Sequence, residues 1–234
     1  ALSFESLDGE FSFSNEKQTL LSRVHDAADQ LPANKHESHT VSMWSKVDGN
    51  GQNDLRLFSE ANTGDSNPLF NIGTANNGAS GSIDFYIRQS GWPTVNHIHS
   101  TAEPYDGEWH HVVFVQEGGE RRVYVDGELD DLEIAAKPAG TFRVNDTTIG
   151  GILRSSASHW VTGLIDDVAI WKRALSDEEI SAVQDAGLEN RSESLGAGMI
   201  AYWPLDEIQG EVTPDVINGY DLELTNLSAD DLVE

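Results

Sequence analysis

The chain has no cysteine, two methionines and only fourteen lysine and arginine side chains among its 234 residues. Without cysteine there can be no disulfide, no thiolate metal site and no cysteine nucleophile. The fourteen basic residues face forty acidic ones, giving a formal charge of −26. A field of that sign repels phosphate backbones and anionic headgroups and attracts cations, so neither nucleic acid nor a membrane surface is an expected partner. No apolar run approaches the ~18–20 residues that cross a bilayer, and the first residues lack the charged start and hydrophobic stretch of an export signal. The chain begins at Ala1, which points to a processed product or a piece of a longer polypeptide. No glycine-rich phosphate loop or nucleophile elbow is present.

What is present is a series of short β-type runs separated by Gly, Asn and Asp clusters, the pattern of an all-β antiparallel sandwich and not of alternating βαβ units. The expected strands are Leu2–Phe4, Phe11–Phe13, Thr40–Ser45, Leu55–Ser59, Ser82–Gln89, His110–Gln116, Arg122–Val125, Thr141–Thr148, Leu164–Trp171, Met199–Pro204 and Tyr220–Leu224. Asp126-Gly127 supplies the positive φ angles of a tight hairpin turn. One helix is expected after Ser176: a capping box with Glu179, acidic residues in its first turn, Gly187 as its stop, and Ile180 and Val183 as a narrow apolar stripe. It reads as a structural cap. His25–Ser38 reads as a long irregular loop broken by Pro32.

Six segments occur in an order that resembles the LamG-like jelly-roll modules of the concanavalin A-like lectin/glucanase superfamily. They are Ala1-Leu-Ser-Phe4, Thr40-Val-Ser-Met-Trp44, Glu108-Trp-His-His-Val-Val113, Val123-Tyr-Val-Asp-Gly127, Thr148-Ile-Gly150 and Gly163-Leu-Ile-Asp-Asp-Val168. The resemblance implies a jelly-roll β-sandwich with one short capping helix, in a single domain over residues 1–234 whose main body is 1–187. The tail, Met199-Ile-Ala-Tyr-Trp-Pro-Leu-Asp-Glu207 and Asn218 to Asn226, is similar to the opening strands of such a module. Either the module is circularly permuted and residues 199–227 close it, or a second repeat begins there. Ile200, Tyr202, Trp203 and Leu205 need something to pack on, which favours closure.

Asp166 is the most informative polar residue. Counting by two from Val168 and Ile170 puts it on their side of the strand, towards the apolar layer, while Asp167 on the other phase faces solvent. A carboxylate so placed needs backbone amides from a turn, a basic partner or a metal, and oxygen-only surroundings suit Ca²⁺. The resemblance implies a structural Ca²⁺ held by Asp166 with the segment around Asp206. Asp48-Gly-Asn50-Gly-Gln52-Asn53-Asp54 resembles an EF-hand loop only superficially, since Asn53 stands where glycine is required and Ser59 where glutamate should chelate.

In the strand Ser82–Gln89, Ile83, Phe85 and Ile87 fit the core, leaving Asp84, Tyr86 and Arg88 as a polar phase. With Trp92 nearby, these residues could hold a sugar ring, or they could be an ordinary solvated face. His97 and His99 alternate and would share a face, but lack a third metal ligand. His110 and His111 read as hydrogen-bonded scaffold and Trp160 as core. The Glu-x-Asp-x-x-Glu strand of glycosidases with this fold is absent, so a two-carboxylate hydrolase is not expected. A polysaccharide lyase would draw on His97, His99, Tyr86 and Arg88. The resemblance implies a non-catalytic, extracellular or cell-surface module of a larger multidomain bacterial protein that recognises a glycan or a protein surface. The alternatives are a polysaccharide-active enzyme and a structural spacer. A convergent pocket of His, Tyr and Arg would favour the enzyme, a shallow aromatic face the lectin, and neither the spacer.

Overall fold

Two eight-stranded sheets face each other across one apolar layer. A computed structural model describes residues 9–188 and 191–233; the Ala1–Phe4 motif and the Leu2–Phe4 strand lie outside the described residues. The first sheet runs Glu128–Leu129, Glu120–Val125, Asp106–Glu117, His39–Asp48, Gly163–Trp171, Glu10–Phe13 and Leu232–Val233, and Met199–Trp203 also pairs on Gly163–Trp171. The second runs Val212–Thr213, Leu222–Thr225, Leu20–Val24, Asp146–Ile149, Arg56–Ala61, Leu69–Thr74, Ile83–Arg88 and Val95–His99. Alternate residues of both fill the layer between them, among them Met43, Phe114 and Ile165 from the first and Phe58, Phe70 and Phe85 from the second. Phe70 and Phe114 meet across it edge to face, centroids 4.9 Å apart. This is the expected antiparallel jelly-roll sandwich.

The helix spans Asp177–Ala186. The Glu179 amide donates to Ser176 Oγ at 3.3 Å while the Ser176 amide donates to the Glu179 carboxylate at 3.0 Å, the reciprocal cap read from the sequence. Ile180 and Val183 pack on Val113, Val115, Tyr124 and Trp171, so the helix covers the outer face of the first sheet. A one-turn helix, Glu193–Gly196, follows, and its Leu195 carbonyl accepts from Trp171 Nε1 at 2.7 Å.

The tail contributes a strand to each sheet: Met199–Trp203 pairs with residues 168–171, and Leu222–Thr225 pairs with Leu20–Val24. Asp215, buried, fastens the two together. Its Oδ1 accepts from the amides of Tyr202 (2.8 Å) and Ile217 (3.0 Å), its Oδ2 from those of Asn218 and Tyr220 (both 3.0 Å).

Three local readings change. Leu20–Val24 and Leu69–Thr74 are strands the sequence pattern did not reveal, because neither alternates: the second is buried throughout, and the first goes from buried at Leu20 to exposed at Val24. Thr141–Thr148 shrinks to Asp146–Ile149. His25–Ser38 is the expected irregular connection, though its Leu31 and Ala33 enter the core and Ala33–Lys35 forms a 3₁₀ turn. Trp160 is only half buried, being on a connection that bridges to Arg56.

The diagnostic strand Gly163–Trp171 carries a bulge between Asp166 and Ala169, with Asp167 at φ 51°. The extra residue breaks the count by two. Ile165, Val168 and Ile170 all reach the inter-sheet core, so Asp166 lies on the opposite, outer face, paired with Trp44. Asp167 is half buried and accepts a hydrogen bond from the Tyr202 hydroxyl, not water alone.

Two buried carboxylates sit side by side on neighbouring strands. Burial pushes Glu60 up to about 7 against the pull of the Asn34 and Ala33 donors. Burial, with the Glu60 charge adding to it, pushes Asp146 up to about 7 as well. Both values lie above the unfolded ones, so the stability these groups contribute is complete in acid and is lost as pH rises towards neutrality. Asp146 Oδ1 accepts from the Ala61 amide at 2.6 Å, while Oδ2 has no partner among the described residues. Asp146→Asn keeps the acceptor and removes the charge; it should be neutral near pH 4 and stabilising by about 1–3 kcal/mol near pH 8, measured as denaturant midpoints at both values. Asp215→Ala strips the buried Tyr202 amide and three partly buried ones of their acceptor and should cost about 2–3 kcal/mol in the same assay.

Candidate functional site

The outer face of the second sheet is where the chemistry collects. In Ile83–Arg88 the apolar phase enters the core and Asp84, Tyr86 and Arg88 point outward. Across the ladder, Asp84 faces Gly73 on one side and His99 on the other, and Tyr86 faces Asn71 and Asn96. A β-carbon at Gly73 would meet the Leu55 carbonyl at 2.0 Å and Arg56 Nη1 at 3.3 Å. A bare backbone there is what lets Arg56 lie beside Asp84. The register between Ile83–Arg88 and Val95–His99 shifts at Phe85/Tyr86, and His97 has φ 54°. This irregularity turns the His97 ring flat onto Tyr86, with centroids 4.5 Å apart and planes within 4°.

Asp84 is the hub. It has no exposed surface, and its carboxylate lies 3.0 Å from His97 Nδ1, 3.2 Å from His99 Nε2 and 3.9 Å from Arg56 Nη1. Burial raises its pKa, with His97, Arg56 and His99 opposing the rise. Arg56, itself 3% exposed, also bonds Asp54. In the orientation its neighbours dictate, the Asn71 amide oxygen accepts from Arg56 Nε at 3.1 Å and its nitrogen donates to Ser59 Oγ at 3.0 Å. Asp54 also lies 3.7 Å from both His97 Nδ1 and His159 Nε2.

Arg88 is fixed by three acceptors: the carbonyls of Asn67 (3.0 Å) and Ser66 (2.8 Å) and the Tyr86 hydroxyl (3.1 Å). Its guanidinium carbon lies 5.4 Å from the Tyr86 ring centre. Over this face folds the small hairpin of Ile152–Leu153 and Ala157–Ser158, which brings Arg154 and His159 opposite Tyr86 and Arg88. The walls enclose a cavity of about 70 Å³ with Leu69 and Ile152 as its apolar side. A larger hollow of about 730 Å³ lies at the tail, lined by Ile208, Glu211, Glu223 and Leu224 among others and by no basic side chain.

Three of the four expected ligand residues, Asp84, Tyr86 and Arg88, are therefore brought together, though Asp84 is sealed beneath the others. Trp92 is not among them. It stacks on Phe142, centroids 5.3 Å apart, and packs against the inter-sheet layer. His97 and His99 share a partner in Asp84, the third group the sequence did not supply. Asp54, Arg56, Asn71, Arg154 and His159 are additions. Asp54 ends the stretch that superficially resembles an EF-hand loop, and the others, from Arg56 to His159, are far apart in the chain and joined only by sheet order. His111 is scaffold as expected, bonding Ser42 Oγ at 2.7 Å and stacking on Trp44. His110 bonds Asp126 at 2.6 Å.

Among the described residues, the one group of three acidic or histidine side chains with ligand atoms within 4.8 Å of one another is Asp54, Asp84 and His97. Its donors include an imidazole, and the Arg56 guanidinium already supplies positive charge there, a poorer match to Ca²⁺ than an all-oxygen set. Asp166 and Asp206 lie elsewhere: burial, then the nearby charges of Asp167, Asp206 and Asp166, push the Tyr202 phenol up.

A family model described as the concanavalin A-like lectin/glucanases superfamily matches residues 23–181. No curated protein matches the sequence. Among solved structures, the fold is similar to a Bacteroides ovatus protein described as carbohydrate binding (TM-score 0.59, 19% identity, 93% of this chain and 58% of that one). It is also similar to the SAP-like pentraxin of Limulus polyphemus (0.56, 20%, 82% and 88%). A third is the CBM40 module of the Ruminococcus gnavus IT-sialidase, solved with α2,3-sialyllactose (0.52, 19%, 76% and 96%). The chain spans 58% of the length of the Bacteroides protein.

Asp84→Ala leaves Arg56 without its second carboxylate in a buried setting and His97 without its acceptor. It should destabilise the fold by about 2–4 kcal/mol in chemical denaturation.

Proposed function

Because the chain belongs to the concanavalin A-like lectin/glucanase superfamily, we propose that it is a non-catalytic, extracellular carbohydrate-recognition module of a larger protein, and that the cavity over Tyr86 and Arg88 is its binding site. The observation that carries this reading is the set of hydrogen-bonding side chains, Tyr86, Arg88 and Arg154, around a small pocket with Leu69 and Ile152 beneath it. A sugar ring needs that combination: directional donors for its hydroxyls and a nonpolar surface for its C–H face. Carbonyls, a ring stack and an ion pair hold most of these groups in place before any ligand arrives, so little ordering cost remains for binding.

A second reading has one observation in its favour: His, Tyr and Arg side chains do converge. For β-elimination of a uronate polymer, a base takes the C5 proton, the C4–O4 bond breaks as the C4=C5 bond forms, and O4 leaves with a proton from a phenol or water. His97 is a poor base, being bonded to Asp84 and stacked on Tyr86. His159 is the better one, because burial first and Arg56 second hold its pKa below the ordinary value and leave it neutral. A separate proposal is a structural Ca²⁺ at Asp166 and Asp206, supported by the carboxylates gathered around the Tyr202 hydroxyl.

A glycan array with and without EDTA tests all three, with a thermal melt alongside. Specific glycan binding is expected, with Tyr86→Ala weakening it about 10- to 100-fold. EDTA should lower the melting temperature while leaving binding intact. Ultraviolet absorbance of an unsaturated product on a uronate polymer, lost in His159→Ala, would establish the enzyme instead; no binding and no product would leave a structural spacer.

A further inference from the structure

The groove gathers positive charge in a protein that has almost none to spare. Arg56, Arg88, Arg154 and His159 all line one small cavity in a chain of net charge −26. Their charges are felt mutually: burial first, then Arg88 and Arg56, lower the pKa of Arg154. Of the lining residues only Asp54 is acidic, and Arg56 is bonded to it. Neither Arg88 nor Arg154 has a salt bridge among the described residues, a condition they share with Arg121, Arg143 and Arg191, but they are the two of these that line a common cavity.

The two cavity arginines without a salt bridge differ in a useful way. Arg88 spends three of its five N–H groups on Ser66, Asn67 and Tyr86, which fixes its plane and leaves two donors. Arg154 bonds only Ser158 Oγ, at 3.2 Å, and keeps the rest. Two guanidiniums lining one partly buried cavity, neither with a salt bridge, are unfavourable unless an anion joins them. A planar carboxylate matches the guanidinium fork, and about 70 Å³ is room for that carboxylate and one edge of the ring that carries it. We propose that the ligand is an acidic saccharide whose sugar carboxylate is bound by Arg88 and Arg154, the Tyr86 hydroxyl taking one of its hydroxyls. The inference rests on the carbohydrate-recognition reading above and adds the ligand's charge.

Titration calorimetry of the whole chain with oligosaccharides of galacturonate, mannuronate and glucuronate and with sialyllactose, each beside its carboxyl-reduced counterpart, decides the matter. Arg154→Gln is the variant of choice, because the side chain has one protein hydrogen bond and its removal should leave the melting temperature unchanged. At least one acidic form should bind, with affinity reduced about 10- to 100-fold both by carboxyl reduction and by Arg154→Gln. Equal binding of acidic and reduced forms, with no effect of Arg154→Gln, overturns the carboxylate and leaves carbohydrate recognition standing. Acid-specific binding that Arg154→Gln does not weaken overturns this site. Binding of no saccharide in either form overturns both readings.

Discussion

The outer face of the second sheet is organised by the charge on Asp84. A carboxylate with no exposed surface must be compensated, and three cationic or donor groups from two other strands turn towards it: Arg56, His97 and His99. Arg56 in turn holds Asp54 and Asn71, and His97, drawn to Asp84, lies flat on Tyr86. The groups exposed in the cavity are thus positioned by a layer of buried electrostatics beneath them. An ion pair of this kind contributes little net stability compared with an apolar replacement, since desolvation offsets its Coulombic gain. What it supplies is orientation, which is the property a binding face requires.

The same arrangement separates the local field from the global one. Screening confines the attraction or repulsion of exposed charges to about 8–10 Å at physiological ionic strength. A ligand seated between Arg88 and Arg154 therefore responds to those arginines more than to the −26 total spread over the rest of the surface. Exclusion of long polyanions by net charge and acceptance of a single carboxylate in a cavity are compatible for that reason.

How much of this was legible in the sequence depended on whether the strand concerned was regular. Ser82–Gln89 alternates cleanly, so the split between Ile83, Phe85, Ile87 and Asp84, Tyr86, Arg88 could be read by counting. The capping box at Ser176 is equally local, and it too was legible. Gly163–Trp171 identified the fold by its motif, yet the bulge at Asp167 reversed the face assigned to Asp166, and nothing in Ile-Asp-Asp-Val announces an extra residue. His97 has the same history, since its irregular backbone decides where the ring points. Trp92 was assigned by nearness in sequence and went to Phe142 instead. Arg56, Asn71, Arg154 and His159 could not be grouped at all without strand order, because a site built across a sheet is assembled from distant segments.

Whether such a face binds or also reacts turns on which groups retain a usable lone pair. His97 is hydrogen-bonded to Asp84, His99 lies beside the same buried carboxylate, and Arg88 donates to the Tyr86 oxygen, so these side chains orient one another. His159 bonds Ser158 Oγ through Nδ1 at 2.9 Å, while its Nε2 stays 3.7 Å from Asp54, beyond hydrogen-bond reach. A catalytic reading therefore concentrates on one nitrogen of one residue, carried by a hairpin laid over the sheet. A binding reading uses the entire fixed array, and the rigidity of that array is the physical reason to prefer it: donors already locked in place favour a ground-state ligand, whereas elimination needs a base free to take up a proton and a second group ready to release one.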